Sequence, residues 1–361
     1  MKYLTINTGI IVCALLIQSC NDDNGLIGSG GTSPNTNSGG WLIPENEVRD
    51  GGPGKDGIPA LTNPDFKALS KTDYVSDNDL ILGFKSGVNV KAYPHDILDW
   101  HEIINDEIGN IKIAVTYCPL TGTGIGWDRE INGTVTTFGV SGLLYNSNLI
   151  PYDRESNSNW SQMRLDCVNG SLKGTKAKNY TLVETTWGTW KEMYPESSVL
   201  STSTGYSRSY GRYPYGSYRT NNSYIIFPVS NTDSRIENKE RVHGIIDDGK
   251  VKTYRFNLFS DSTTVITDTF NDNEIVVAGS EEINIIVSFL RKTGDGTLLE
   301  FHPVQNQLPV ILEDNEGSKW DVFGMAVEGP REGEQLTPTI SMIGYWFAWA
   351  AFYPDLTIYA E

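Results

Sequence analysis

The chain has 361 residues, a formal net charge of −17 at pH 7, and 45 acidic against 28 basic side chains. This length allows two domains of ordinary size. Because an excess of negative charge repels nucleic acid and anionic lipid headgroups, we expect neither as a partner.

The first 20 residues have the pattern of a bacterial lipoprotein signal. Lys2 is followed by an apolar run to Ile17 and then by Gln-Ser-Cys. The apolar run is too short to span a bilayer comfortably. We therefore expect residues 1–19 to be a signal peptide, and Cys20 to carry a lipid that anchors the protein to the bilayer. An ordinary secretory signal with an incidental cysteine is the alternative.

Residues 20–55 begin with a segment rich in Gly, Ser and Asn that has no apolar periodicity, so the sequence predicts a flexible tether. The acidic Asn-Asp-Asp directly after Cys20 resembles the surface-export signal of Bacteroidota lipoproteins. The expected location is therefore extracytoplasmic, at the outer membrane or the cell surface.

Four segments recur later in the chain in the same order, which indicates an internal repeat. The matched segments are 82–94 with 243–255, 110–124 with 282–296, 157–174 with 317–333, and 186–200 with 345–359. The second match pairs Cys118 with Leu290, so the repeat does not require a cysteine there. We expect two lobes, at residues 56–202 and 234–361, joined by a connector at residues 203–233.

The local patterns of both lobes are mostly those of β-strands. Residues 89–93 and 250–256 alternate between apolar and polar side chains, and residues 111–117 and 283–289 are short, rich in β-branched residues and bounded by glycine. Apolar side chains recur near helical spacing in residues 94–108, which predicts an amphipathic helix. Residues 186–195 are predicted to form a short helix that Pro195 ends. The predicted fold class is α+β, mostly antiparallel β, with an internal duplication giving two pseudo-symmetric lobes.

The segments that characterise the chain most specifically are Trp-His-Glu-Ile-Ile-Asn-Asp, Thr-Tyr-Cys-Pro-Leu and Phe-Gly-Val-Ser-Gly-Leu-Leu-Tyr-Asn-Ser, at residues 100–106, 116–120 and 138–147. With them, the chain from Asp56 to its C-terminus resembles the bacterial family known as domain of unknown function 3179. This resemblance implies no established reaction. The family pattern often has a second cysteine where this chain has Thr121, and a histidine where it has Tyr194. A soft-metal or redox site built on those residues would lack two members here.

Cys118, His101 and Glu102 are the candidate catalytic residues, because an imidazole and a carboxylate can activate a thiolate nucleophile. The alternative is that Cys118 packs as a small apolar residue and His101 lies on a helix surface. Copper or zinc bound by His101 and Cys118 is a further option, although the sequence requires no cofactor. A disulfide between Cys118 and Cys167 also stays open.

Two Asp-Arg pairs and several aromatic residues are the candidates for ligand binding, because carboxylates and guanidinium groups bind polar ligands and aromatic faces suit sugar rings. They are Asp128, Arg129, Asp153, Arg154, Trp160, Tyr213 and Tyr215. Asp-Arg pairs that only close turns, and a connector that is only a long surface loop, are the alternatives. The two Trp-x-x-Trp elements occur in both repeats, which favours a role in the core.

These observations favour a membrane-anchored extracytoplasmic lipoprotein that binds a small molecule, polar or saccharide, in a cleft between the lobes. The alternative is an extracytoplasmic enzyme, or a soft-metal site, built on Cys118 and His101.

Overall fold

Short β-strands follow one another through residues 40–360, which are the residues that the computed structural model describes. Neighbouring strands are antiparallel except at three contacts. The prediction of a mostly antiparallel α+β fold is therefore confirmed. The predicted signal peptide and Cys20 lie outside the described residues.

The strands of the first half form three five-stranded sheets and one two-stranded sheet. They are β1 Arg49–Asp50, β2 Leu61–Thr62, β3 Phe66–Ala68, β4 Leu80–Ser86, β5 Asn89–Pro94, β6 Ile103–Ile108, β7 Ile111–Cys118, β8 Thr123–Asp128, β9 Glu130–Ile131, β10 Thr134–Val135, β11 Phe138–Tyr145, β12 Asn148–Asp153, β13 Asn159–Ser161, β14 Asp166–Asn169, β15 Asn179–Tyr180, β16 Val183–Thr186 and β17 Ser198–Leu200. The sheet orders are β1-β11-β12-β13-β14, β15-β8-β7-β6-β2 and β16-β4-β5-β17-β3, and β9 pairs with β10.

The second half forms three smaller sheets. Its strands are β18 Arg241–Asp247, β19 Lys250–Arg255, β20 Thr264–Phe270, β21 Asn273–Ser280, β22 Ile285–Leu290, β23 Phe301–Gln307, β24 Val310–Asp314, β25 Lys319–Asp321, β26 Ala326–Glu328, β27 Ile340–Tyr345 and β28 Thr357–Ile358. The sheet orders are β27-β18-β19-β28, β20-β21-β22 and β23-β24-β25-β26.

Three α-helices of seven residues each accompany the sheets: α1 His95–His101, α2 Trp187–Met193 and α3 Trp346–Phe352. Within residues 40–360, no helix has the length and apolar character needed to cross a bilayer.

The single helix predicted for residues 94–108 is wrong in its second half. Helix α1 ends at His101, and Glu102 follows with a positive φ of 57°. Residues 103–108 then form β6, which pairs along its whole length with β7. The isoleucines that suggested a helical face are buried because β6 lies inside a sheet.

Helix α2 forms where the sequence predicts it, and it packs on β4 at a glycine. A Cβ atom at Gly83 would lie 2.0 Å from the ring of Trp190. In the second half, α3 packs on β18 in the same way, and a Cβ at Gly244 would lie 2.4 Å from Trp349. Both tryptophans are fully buried, which confirms the predicted core role of the Trp-x-x-Trp elements.

The repeat segments 110–124 and 282–296 do not occupy matching strands. Residues 111–118 form β7, the middle strand of the β6-β7-β8 meander, whereas residues 285–290 form β22, the last strand of the β20-β21-β22 meander. The last pair between β7 and β8 joins Cys118 to Thr123, and the last pair between β21 and β22 joins Ser280 to Ile285. Cys118 therefore ends the middle strand of its meander and Leu290 ends the last strand of the other, so the strand order does not support the predicted match of these two residues.

The described end of the predicted tether is packed against the first half. Strand β1 pairs with β11, and the amide of Leu42 donates to the carbonyl of Val168 at 2.8 Å. Ile43 is buried. Residues 40–55 are therefore part of the folded body, not flexible.

The buried side chains do not divide into one core for each half. One buried cluster contains Cys118 of β7 together with Trp349 of α3, and a second contains Trp190 of α2 together with Trp320 of β25. The two halves therefore share their cores within one compact unit.

Candidate functional site

A surface cleft of about 590 Å³ lies between the first half and the beginning of the connector. Its lining contains residues 60–65, Thr137, Arg154 and residues 203–206. No residue of the second half is among these, so this cleft is not the one between lobes that the sequence predicts. A concave site with a few fixed polar groups is what small-ligand binding requires.

Arg154 is held at the edge of this cleft by two fixed partners. Its Nη2 lies 2.6 Å from Oδ1 of Asp56, and its Nη1 donates to the carbonyl of Phe138 at 3.1 Å. Tyr206 also lines the cleft and is 46% exposed. A positioned guanidinium and an exposed aromatic ring in one cleft can hold a polar ligand that also has an apolar face.

His101 lies beneath the cleft and supports its rim through a chain of hydrogen bonds. Nδ1 lies 2.7 Å from the carbonyl oxygen of Pro59, and Nε2 lies 2.7 Å from the hydroxyl of Tyr210, which lies 2.5 Å from Oγ1 of Thr204. Because a carbonyl only accepts, Nδ1 carries the proton and Tyr210 donates to Nε2. Burial lowers the pKa of His101, which keeps the imidazole neutral.

Cys118 is a buried free thiol at the end of β7. It is 1% exposed, and its Sγ lies 3.7 Å from the carbonyl oxygen of Ser147. Burial raises the pKa of Cys118 to about 11, so the thiolate is disfavoured at neutral pH. Both nitrogens of His101 have other partners, so joint catalysis by Cys118 and His101 stays a prediction that this geometry does not support. Cys167 is also free, so the two thiols form no disulfide.

A buried polar cluster surrounds Cys118, and the connector covers it. We call this cluster the connector chamber; its members are Asp99, Glu102, Cys118, Lys239, Tyr213, Tyr215 and Tyr218. The hydroxyls of Tyr213 and Tyr218 donate to the carbonyls of Pro119 and Leu120, each at 3.0 Å. The connector is therefore fastened to the turn that follows Cys118.

Two carboxyl groups of the chamber are strongly perturbed. Asp99 is 4% exposed, and its Oδ1 is buried without a hydrogen-bond partner. Burial raises the pKa of Asp99 to about 8. Burial, followed by the charge of Asp99, raises the pKa of Glu102 to about 8 as well. At neutral pH both groups are therefore largely protonated. Glu102, a predicted catalytic residue, combines this with a left-handed backbone, a conformation that clusters at functional sites.

Lys239, like Asp99 and Tyr218, is a chamber residue that the sequence did not reveal. It is 7% exposed, and its Nζ is buried without a hydrogen-bond acceptor. The Nζ lies 3.2 Å from the ring centroid of Tyr218, 4.5 Å from that of Phe347 and 5.4 Å from that of Tyr345. Burial lowers the pKa of Lys239 to about 7. In the sequence it stands among charged and polar residues, a pattern typical of an exposed surface.

The two Asp-Arg pairs each have structural partners. Asp128 bonds to Nζ of Lys178 at 2.7 Å, and Arg129 donates to the carbonyls of Thr136 and Asp106 at 2.8 and 3.1 Å. Neither residue lines the cleft.

Asp153 is buried and accepts a hydrogen bond of 3.0 Å from Nε1 of Trp160, which packs in the core. Of the seven predicted ligand-binding residues, Arg154 lines the cleft, and Tyr213 and Tyr215 belong to the chamber.

Within the described residues, no three His, Cys, Asp or Glu side chains come together in a way that could hold a metal ion. Copper or zinc at His101 and Cys118 thus stays an untested prediction.

A comparison with known protein families matches residues 55–356 to the family described as "Protein of unknown function (DUF3179)". No curated protein and no solved structure matches the chain. The match covers most of the chain and contains both the cleft and the connector chamber. The chain therefore belongs to the DUF3179 family.

Proposed function

We propose that this protein is a lipid-anchored extracytoplasmic binding protein that holds a small polar or saccharide ligand in the cleft beside Arg154. The observation that carries the proposal is that Arg154 and Tyr206 both line a cleft of about 590 Å³. Neutral saccharides suit this arrangement because they combine hydroxyl groups with an apolar ring face. The anchor at Cys20 is part of the proposal and rests on the lipoprotein signal alone.

The rim of the cleft supports this proposal because it is positioned before any ligand arrives. Thr204 is bonded through Tyr210 to His101, and His101 is in turn fixed to Pro59. A preorganised rim lowers the conformational entropy that a ligand must overcome. His101 would thus act as a positioning residue in binding.

An internal duplication is the architectural part of the proposal, and paired contacts support it. Tyr93 donates to Asp106 at 2.7 Å, and Tyr254 donates to Asp268 at 2.6 Å. Both tyrosines are on the second strand of a hairpin, β5 or β19, and both aspartates are on the strand that begins the next meander, β6 or β20.

One further pair of contacts recurs at similar spacing. Nε1 of Trp160 donates to Asp153 at 3.0 Å, and Nε1 of Trp320 donates to Asp314 at 2.9 Å. The cleft, by contrast, is lined partly by the connector, a segment that has no counterpart among the four repeated segments. The ligand site would therefore be a feature of the first half alone.

Calorimetric titration with soluble neutral oligosaccharides tests the proposal. We expect binding by the wild-type protein and at least fivefold weaker binding by Arg154→Met and by Tyr206→Ala. Arg212→Met and Tyr224→Ala, which change exposed connector residues outside the cleft lining, serve as matched controls. Equal affinity of Arg154→Met and wild type, or no binding of any oligosaccharide, would refute this site.

An extracytoplasmic enzyme built on Cys118 is the second candidate function. The observation in its favour is the pair of buried, protonated carboxyl groups, Asp99 and Glu102, in the same chamber as the thiol. A Cys118→Ser variant separates the two candidates. Unchanged oligosaccharide affinity favours the binding protein, whereas loss of a measured turnover favours the enzyme.

A further inference from the structure

Lys239 is buried, which is unusual for a lysine. Its amine is buried and lacks a hydrogen-bond acceptor, and three aromatic rings lie within 5.4 Å of the Nζ. The main chain fixes this position, because the amide of Lys239 donates to Oδ1 of Asn222 at 2.9 Å. A buried ammonium without a counter-ion is costly, so the neutral amine is favoured. A neutral, desolvated lysine amine is a nucleophile towards carbonyl compounds.

The connector is the part of the molecule that separates this amine from solvent. Between β17 and β18 its regular structure is one 3-10 helix, Tyr218–Thr220, and the connector joins no sheet. Its contacts with the chamber include the two tyrosine hydroxyls that donate to Pro119 and Leu120. The connector also packs on the core, because Ile225, Ile226 and Phe227 lie against the buried cluster that contains Cys118. Opening it requires these contacts and the tyrosine hydrogen bonds to break.

The second half indicates what the chamber becomes without a connector. A hollow of about 460 Å³ is lined by Glu192 of α2, Ser280 at the end of β21 and Leu308 between β23 and β24, among others. The exposed carboxylates of Glu192 and Glu282 line it, whereas Ser280 is buried. No part of residues 203–233 is among its lining residues.

The matching place in the first half is occupied by the connector. Ser147, in the β11–β12 turn, donates to the carbonyl of Phe227 at 2.7 Å, and the amide of Ser230 donates to Oδ1 of Asn146 at 2.7 Å. The hydroxyl of Ser230 also donates to the carbonyl of Ala351 in α3 at 3.2 Å. This correspondence rests on the proposed duplication. It indicates that lifting the connector would uncover a pocket at the turn beside Cys118.

We propose that Lys239 is a nucleophilic amine that forms an imine with a small aldehyde or ketone admitted beneath the connector. The Nζ lone pair adds to the carbonyl carbon as the C=O π bond breaks, and one proton passes from the nitrogen to the oxygen to give a carbinolamine. The carbinolamine then loses its hydroxyl group and the remaining N–H proton as water, which gives the C=N bond, so the step needs no oxidant or reductant. The rings of Tyr218 and Phe347 exclude water from the amine and select compounds with small apolar groups.

Reductive trapping on the full chain tests this proposal. The protein is treated at pH 7 with propionaldehyde and cyanoborohydride, and each lysine is followed by peptide mass mapping. Lys71 and Lys292, both exposed, are internal references. In the native protein we expect Lys239 to be modified at least tenfold faster than either reference lysine. In denaturant we expect all three lysines to be modified at the same rate.

Three variants make the outcome decisive. Lys239→Met is expected to remove the adduct that forms fastest in the wild type, whereas Arg154→Met is expected to leave that adduct unchanged. Failure of the cleft proposal and failure of the imine proposal are therefore distinguishable. Tyr213→Phe removes the bond to Pro119 and is expected to speed the modification of Lys239. If Lys239 is modified more slowly than Lys71 and Lys292 in both the wild type and Tyr213→Phe, the amine is only a packed side chain and the proposal is wrong.

Discussion

Replacing Lys239 by methionine is expected to stabilise the fold. The wild-type side chain places an amine without a hydrogen-bond acceptor among the rings of Tyr218, Phe347 and Tyr345. Methionine has a similar length and an unbranched, apolar side chain, so it can occupy the same space against these rings. Residues retained for function at the expense of stability behave in this way.

The pKa of Lys239 sets the size of the effect. Burial lowers it from 10.5 to about 7. At about 1.4 kcal/mol for each pH unit, this would cost the folded state up to roughly 4 kcal/mol at neutral pH. Cation–π contacts with the three rings offset part of that cost, at about 0.5–1 kcal/mol each. We therefore expect Lys239→Met to raise the free energy of unfolding by about 1–2 kcal/mol at pH 7.

The gain in stability from Lys239→Met must also depend on pH, and it must decrease as the pH rises. Because the folded pKa of Lys239 lies below its unfolded pKa, the unfolded chain binds more protons between about pH 7 and pH 10.5. Wild-type stability therefore rises with pH in this range relative to the variant. The gain from Lys239→Met should be complete below pH 7 and disappear towards pH 10.5.

Urea unfolding of both proteins at pH 6, 8 and 10 measures the difference. Asp99, Glu102 and the other titrating groups are common to both proteins, so their contributions largely cancel in that difference. Lys71→Met is the control for loss of an exposed charge and should change stability by less than about 0.5 kcal/mol. A Lys239→Met variant that is less stable than the wild type, or whose effect does not change with pH, would refute the reasoning.

Two further predictions concern packing and thiol chemistry. Gly83→Ala is expected to destabilise the fold by about 3 kcal/mol, because the added methyl group would lie 2.0 Å from the ring of Trp190. Thermal unfolding measures this, and Gly294→Ala, where nothing lies within 4 Å, should have little effect. Cys118 and Cys167 are both buried, with the pKa of each raised to about 11, so a disulfide reagent at pH 8 should label them only after unfolding. Rapid labelling of Cys118 in the native protein would contradict this.

Local patterns in the sequence determined the strands, helix α2 and the core role of the tryptophans. Alternation and β-branched residues fix which residues can share the face of a strand, and this information is local. The repeated Trp-x-x-Trp elements were enough to predict burial because a spacing of three places both rings on one side of a helix. The family assignment likewise depended on contiguous motifs.

The tertiary structure decided where helix α1 ends and in which order the strands pair. Residues 103–108 have apolar side chains that fit a helix or a strand, and pairing with β7 selects the strand. A short apolar run cannot resolve these alternatives from its own sequence. The strand order likewise needs the whole fold, which places Cys118 at the end of a middle strand and Leu290 at the end of the last strand of another meander.

Both candidate sites also depend on contacts between distant parts of the chain. The cleft joins residues 60–65 to residues 203–206, and the connector chamber joins Asp99 to Lys239 by way of three tyrosines. A lysine in a polar stretch is exposed unless the rest of the fold closes over it, and here the connector does so. The sequence alone thus determined which elements form, because that choice is local. The tertiary structure decided which side chains lose their water, because desolvation depends on everything packed around them.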